Sequence, residues 1–423
     1  MSDWSEHAIW WHVYPLGFTG APVRPTEEER AAVEAEPAHR LGHLTAWLDH
    51  VVELGTNGLL LGPIFAAETH GYDTTDFFRI DPRLGDESDL DDLVAECRSR
   101  GIRVLLDGVF NHVGRAHPLY EAALAAGEGS TEADLFRIDF SGDEPVAEDF
   151  EGHDALVELN HASPAVEDLV VEVMTHWLAR GVDGWRLDAA YSVPNDFWAR
   201  VLPRVREEFP DAWFIGEVIH GDYAEFVVEG TVDAVTQYEL WKATWSSLKE
   251  GNFFELDWTL QRHDEFLDAF VPQTFIGNHD TTRIASQVGQ DRAALAAVAL
   301  LTVGGIPSIY GGDEYGWEGV KEERIGGDDE VRPIFPPTPE DPDELDPVHA
   351  RMLRTHQELI ALRRRHPWLT TARTETVELT NVRYVYEPVG AEGERLRVTL
   401  DIEGAPWAEI ADASGEVLLV VGR

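Results

Sequence analysis

In the stretch GVDGWRLDAAY at 181–191, an apolar, extended run ends on Arg186, Leu187 and Asp188. The two-residue period of a strand puts the guanidinium and the carboxylate on the same side. A guanidinium neighbour favours an ionised carboxylate, the form in which a carboxylate can act as a nucleophile. An isolated R-x-D is more often a structural ion pair, but this one recurs in company. Asp107, Asn111 and His112 close an earlier apolar run, Glu217 a later one, and Asn278, His279 and Asp280 another. Glu217 follows Trp213, Phe214 and Ile215 and lies between Gly216 and Val218, the closed, partly apolar setting that suits a general acid. HExxH, CxxC and EF-hand spacings are absent, as are GxxxxGK, GxGxxG and G-x-S-x-G. Paired carboxylates without a metal cluster or a phosphate cradle point to glycosidic chemistry, in which one acid protonates the leaving oxygen and another attacks or activates water.

Elements must bring these groups together. Strands are expected over 8–16, 57–65, 102–110, 184–188, 213–218, 232–238, 273–278 and 306–311. Helices are expected over 41–54, 86–100, 164–180, 196–208, 223–229, 258–270, 291–302 and 347–365. Eight strands alternating with helices predict an α/β fold, a (β/α)8 TIM barrel, whose chemistry gathers at the C-terminal strand ends. The barrel is assigned to 1–112 and 161–368. The polar, aperiodic stretch 113–160 reads as a small inserted subdomain after strand three. Short strand-like runs separated by Gly and acidic turns make 369–423 a C-terminal antiparallel β-domain.

Composition narrows the class. The chain has 423 residues, 43% hydrophobic, with 14 Trp, ample for a large core. A net charge of -46 excludes nucleic acid and anionic membrane as partners, since phosphate binding needs Lys and Arg, and Lys occurs only at 242, 249 and 321. The most apolar window, 294–310, is broken by Gly304, Gly305 and Pro307 and reads as a buried helix entering a strand. Cys97 is the sole cysteine and the first residues show no basic segment followed by an apolar run, so no disulfide or signal peptide is expected and a cytoplasmic location is.

Five segments, in order, carry a specific resemblance: DGVFNH at 107–112, GWRLDAA at 184–190, FIGEV at 214–218, FIGNHD at 275–280 and GIPSIYGGDE at 305–314. The chain resembles the α-amylase family of glycoside hydrolases, family 13, from about residue 8 to 335. The resemblance implies a retaining mechanism with Asp188 as nucleophile, Glu217 as acid/base and Asp280 as the carboxylate stabilising the transition state. It implies sugar contacts from His112, Arg186 and His279, a stacking platform at Tyr72 in HGYDTTDF, and a structural Asp107 bonded near Arg186. A retaining pair holds its carboxyls about 5 to 5.5 Å apart.

THGYDTTDFFRIDPRLGD and VLLDGVFNHVG are most similar to the cyclomaltodextrinase and neopullulanase group, whose extra N-terminal β-domain has no counterpart ahead of the first expected strand. Thr69 stands where oligo-1,6-glucosidases carry an aspartate, and Ala189, Ala190 and Tyr191 replace the Lys-His of many α-amylases. With the short excursion at 113–160, that weighs against their calcium site, and against Asn111 as a ligand, so no cofactor is expected. The resemblance implies cleavage of α-glucosidic bonds in maltooligosaccharides or cyclic dextrins. A transglycosylase on the same scaffold shares the glycosyl-enzyme and differs in what reaches it second; a noncatalytic glucan-binding homologue would tend to lose the acids. The expected partner is an α-glucan oligosaccharide, with a homo-oligomer possible. The aromatics Trp241, Trp245, Phe253, Phe254 and Trp258 are expected to pack rather than to line aglycone subsites.

Overall fold

A computed structural model describes residues 4–324 and 326–422. Eight short strands, β1 (Trp10–Val13), β2 (Gly58–Leu61), β3 (Arg103–Gly108), β4 (Gly184–Leu187), β5 (Trp213–Gly216), β6 (Ala234–Val235), β7 (Gln273–Phe275) and β8 (Ile306–Tyr310), lie parallel in the order β6-β5-β4-β3-β2-β1-β8-β7. The ends of that order meet where Thr236 bridges Gln273 and the Gln237 N–H donates to the Gln273 carbonyl at 2.9 Å, which closes the sheet into a barrel.

Both faces of the sheet are covered, which is why the strands read as near-continuous apolar runs. Trp10, Leu60, Leu105, Trp213, Ile215, Ala234 and Ile306 form the cluster that fills the barrel, with Trp10 stacked on Trp213 at 5.7 Å. A side chain at Gly58 would run into the Trp10 ring, so only glycine fits there. Residues of the opposite phase, Trp11, Leu59, Leu61, Leu106 and Leu187, pack outward on the helices. Two residues beyond the filling layer the same inward phase turns polar: His12 after Trp10, Asp107 after Leu105, Arg186 after Gly184, and Glu217 after Ile215. The strands therefore end in an apolar floor with a charged layer above it.

The helices at Glu87–Ser99 and Pro164–Ala179 form where expected, and for local reasons. Asp86 accepts the Ser88 and Asp89 N–H groups in a capping box, while Ser163 caps the second helix ahead of Pro164. Elsewhere the structure differs. The helix expected over 41–54 is two pieces, Leu41–Thr45 and Leu48–Leu54. The strand expected over 57–65 stops at Leu61, because the chain turns at Gly62-Pro63 into a hairpin of Phe65–Ala67 and Thr74–Ile80 whose tip carries Tyr72. The helix expected over 258–270 is Phe253–Phe266, and an unexpected helix, Tyr238–Glu250, precedes it. Its buried face includes Thr244, Ser246 and Ser247 beside Leu240 and Leu248, so hydroxyls hide the apolar period from the sequence.

The stretch 113–160 has structure of its own. His112–Gly114 pairs with His153–Glu158, which pairs with Asp149–Phe150, and the helix Pro118–Ala126 packs on the turn Ala133–Leu135, with Tyr120 against Phe136. At the C-terminus β9 (Arg373–Leu379), β10 (Arg383–Val389), β11 (Leu396–Asp401), β12 (Trp407–Asp412) and β13 (Val417–Val421) form one antiparallel sheet. The first of these is largely exposed and carries Arg373, Glu375 and Glu378. Among the described residues no helix is long and apolar enough to cross a membrane; the window 294–310 is the buried helix Gln290–Thr302 leading into β8.

Candidate active site

Arg186 is the hub of the charged layer. Its Nη1 donates to both oxygens of Asp107 at 2.7 and 2.6 Å and to Asp188 Oδ1 at 3.1 Å, and its Nη2 lies 2.7 Å from Glu217 Oε1. Strand register produces this: Arg186 sits opposite Asp107 on β3 and opposite Ile215, two residues before Glu217, on β5. The three carboxylates are buried, with Asp107 at 0%, Asp188 at 7% and Glu217 at 8% exposure.

One guanidinium serves three buried carboxylates, so its pull on Asp188 is shared. Burial pushes the Asp188 carboxyl well above the usual range; Arg186 opposes this, but Glu217, Asp107 and Asp280 push it up again. Burial likewise raises Asp107 against the pull of Arg186. Glu217 is held by three donors: Arg186, the Tyr238 hydroxyl on Oε1 at 3.0 Å, and the Ala189 N–H on Oε2 at 3.0 Å.

Asp280 lies across the cleft under a different balance. Burial works against its ionisation, yet His279, Arg332 and Arg186 hold its carboxyl well below the usual range. Arg332 Nη2 donates to Asp280 Oδ1 at 2.7 Å, and His279 Nε2 is 2.9 Å from Oδ2. The His279 ring is stacked between Tyr72 at 5.6 Å and Tyr14 at 6.0 Å, and its Nε2 also meets the Tyr72 hydroxyl. Tyr72 donates to Asp107 Oδ2 at 3.2 Å and lines the cleft.

His112 takes the Asn111 amide N–H on Nδ1 at 3.2 Å and stacks on Phe150 at 4.8 Å. Burial drops its pKa to about 3, so the ring is neutral, and an acceptor at Nδ1 places the remaining hydrogen on Nε2, toward the Tyr72 backbone. His112, Tyr72, Asp188, Glu217 and Asp280 line one cleft of about 450 Å³.

The structure thus brings together the seven residues expected to act in catalysis or to contact the sugar: Tyr72, His112, Arg186, Asp188, Glu217, His279 and Asp280. It adds Arg332, Tyr238, Tyr14 and His12. His12 had a signal, a polar side chain two residues from Trp10 in an apolar strand; Arg332, from an aperiodic segment, had none. Arg332 also donates to the His279 carbonyl at 2.9 Å and lies over the Tyr14 ring at 4.6 Å. Of the five aromatics, Trp241 stacks on Phe275 and contacts Trp245, Phe253 is buried, and Phe254 and Trp258 are 50% and 65% exposed; none lines the cleft. Asn111 sits beside His112, its amide nitrogen 3.2 Å from His112 Nδ1. Among the described residues, the one cluster of possible metal ligands, His39, Asp86 and Asp89, is engaged in a helix cap.

The family description "Alpha amylase, catalytic domain" matches residues 39–351. A cyclomaltodextrinase from Geobacillus thermopakistaniensis is 31% identical over 385 residues, covering 86% of this chain and 63% of that protein. Neopullulanase 2 from Thermoactinomyces vulgaris is 31% identical over 341 residues, covering 76% and 58%. The chain thus spans about three fifths of the length of these curated relatives. Among solved structures, the ligand-free cyclic α-maltosyl-(1→6)-maltose hydrolase from Arthrobacter globiformis superposes with a TM-score of 0.82 at 26% identity, covering 100% of this chain and 97% of that one. A debranching enzyme from Nostoc punctiforme gives 0.79 at 26%, covering 97% and 90%. A barrel with its carboxylates gathered on one arginine, and a family match over most of its length, make this chain a member of the α-amylase family of glycoside hydrolases.

Proposed function

We propose that the chain is a retaining hydrolase of α-glucosidic bonds in maltooligosaccharides or cyclic dextrins. The observation that carries this reading is Asp188 and Glu217 bound to the same guanidinium, at 3.1 and 2.7 Å, which supports the short carboxyl spacing of a retaining pair. Asp188 attacks the anomeric carbon as the glycosidic bond breaks and Glu217 gives its proton to the leaving oxygen. Water, losing a proton to Glu217, then attacks the glycosyl–Asp188 ester and frees the sugar and the carboxylate. The reactive form carries its proton on Glu217 and leaves Asp188 ionised. Positive charge developing at the anomeric carbon favours ionised Asp188 and is also met by Asp280. His112, Arg186, His279 and Tyr72 hold the sugar.

The reading needs no cofactor and takes an uncharged glucan as partner, with neither nucleic acid nor membrane. A cytoplasmic location rests on the lone, buried Cys97. The division into 1–112 with 161–368, 113–160 and 369–423 belongs to the same reading, and for a homo-oligomer Phe254 and Trp258 are the surface to probe. Product analysis on cyclic dextrins, maltooligosaccharides, isomaltose and pullulan tests it. Short linear maltosaccharides are expected; longer or relinked sugars would make the chain a transglycosylase, and no product would revive a glucan-binding role. Asp188→Asn should lower turnover by about four orders of magnitude, and near-normal turnover would overturn the mechanism.

A further inference from the structure

We propose that Tyr238 is a positioning residue, which holds Glu217 through a directed chain of hydrogen bonds from Asn278 and sets the pH at which that acid gives up its proton. The proposal rests on the reading of Glu217 as acid/base. Tyr238 opens the helix Tyr238–Glu250, whose start is fixed by the Gln237 side chain accepting the Leu240 N–H at 3.2 Å. Its ring is wedged edge-on against Trp241 at 5.8 Å and Phe275 at 4.9 Å, so it has little freedom to turn. A tyrosine hydroxyl has one hydrogen to give. Asn278 Nδ2 donates to the hydroxyl oxygen at 2.8 Å, which leaves that hydrogen for Glu217 Oε1 at 3.0 Å. The amide cannot flip without a second loss, because Asn278 Oδ1 accepts the Asp280 N–H at 3.0 Å. The direction of donation therefore runs from Asn278 to Tyr238 to Glu217.

The Ala189 N–H fixes the other oxygen of Glu217, and Ala189 is in the left-handed region at φ 46°. The charged and titratable groups around Glu217 are Arg186 and Asp188 at β4, Asp107 on β3, Asp280 after β7, Tyr191 in the loop beyond β4, and Tyr238. Of the groups that touch Glu217 through a side chain, Tyr238 alone can lose its donor without a change of charge. Burial, with Glu217 and Asp280 nearby, pushes the Tyr238 hydroxyl well above its ordinary range, so it stays a donor wherever the enzyme is folded. A donor on a carboxylate favours the ionised form. Taking it away lets Glu217 hold its proton to higher pH and leaves the acid less well aimed at the leaving oxygen.

The test is Tyr238→Phe in the full chain, with kcat/KM measured across pH on maltotriose and on a 4-nitrophenyl α-maltoside, whose phenolate leaves with little help from an acid. The alkaline limb should move up by about one pH unit, the scale of a hydrogen bond to a charged group. The loss on maltotriose should exceed the loss on the aryl substrate by about tenfold, the low end of what general-acid catalysis contributes. In a Glu217→Gln background the substitution should add no further loss, since it acts through the same group. Asn278→Ser, whose hydroxyl can still accept the Asp280 N–H but is too short to orient the Tyr238 hydroxyl and adds no charge, should move the same limb the same way by a smaller step, and it carries the test if Tyr238→Phe does not fold. Equal losses on both substrates with an unmoved limb, or full additivity with Glu217→Gln, would overturn the role of Tyr238. A wild-type chain that cleaves neither substrate would overturn the glucosidase reading itself.

Discussion

Arg332 shows how one side chain fixes a site from outside the motifs. Its fork holds Asp280 and the His279 carbonyl while its plane covers Tyr14, and its side chain is 8% exposed. Arg332→Gln leaves Asp280 without its strongest donor, so kcat/KM should fall about a hundredfold, equivalent to ~3 kcal/mol of transition-state binding. Arg332→Lys should not restore it, because an ammonium cannot bond both acceptors and stack at once. The sign of the pH effect follows from Asp280, whose pKa is depressed in the folded site. Without Arg332 the carboxyl protonates at higher pH, so the acid limb should move up, and an unmoved limb would show that Arg332 acts elsewhere.

At the scale of elements, position comes from strand phase and capping. The phase that fills the barrel with Leu105 and Ile215 aims Asp107 and Glu217 into the mouth two residues later, so a one-residue slip would turn the whole set into the helical layer. The helix Glu87–Ser99, which packs on β3, starts from Asp86. Asp86→Ala should cost about 1 kcal/mol of unfolding free energy, read by denaturant titration at neutral pH. The Ser88 hydroxyl and the Ser88 and Asp89 N–H groups hold the folded Asp86 carboxyl below its usual value. Its contribution is therefore complete above the unfolded pKa and disappears as pH falls through the folded one, so variant and parent should converge in acid. A gap that persists in acid would point to a cause other than the cap.

For the whole molecule the dominant quantity is charge. A chain at -46 repels itself, and its many exposed Arg–carboxylate pairs offset little of that. The midpoint of thermal unfolding should therefore rise from low to molar salt as repulsion is screened, while KM for a neutral oligosaccharide stays flat. A midpoint that falls with salt would mean that attractive pairs, not repulsion, dominate the folded state. The same field leaves an uncharged polyol as the ligand class least affected on its way to the cleft.

Much of this was legible in the residues themselves. Apolar runs located eight strands, Ser163-Pro164 and the acidic start at Asp86 located helix starts, and the two-residue step placed Arg186 and Asp188 on one side of their strand, because period and capping are local properties. Hydroxyls on a buried face concealed the helix Tyr238–Glu250, and Gly62-Pro63 concealed a hairpin. What the sequence could not decide was how charge is shared. Arg186 next to Asp188 reads as a simple pair, yet closure of the barrel delivers Asp107 and Glu217 to the same guanidinium, and burial beside those carboxylates pushes the Asp188 carboxyl up. Arg332 and Tyr238 reach Asp280 and Glu217 from distant segments with no periodic signal, because contact across a closed barrel depends on where strand ends converge and not on spacing along the chain.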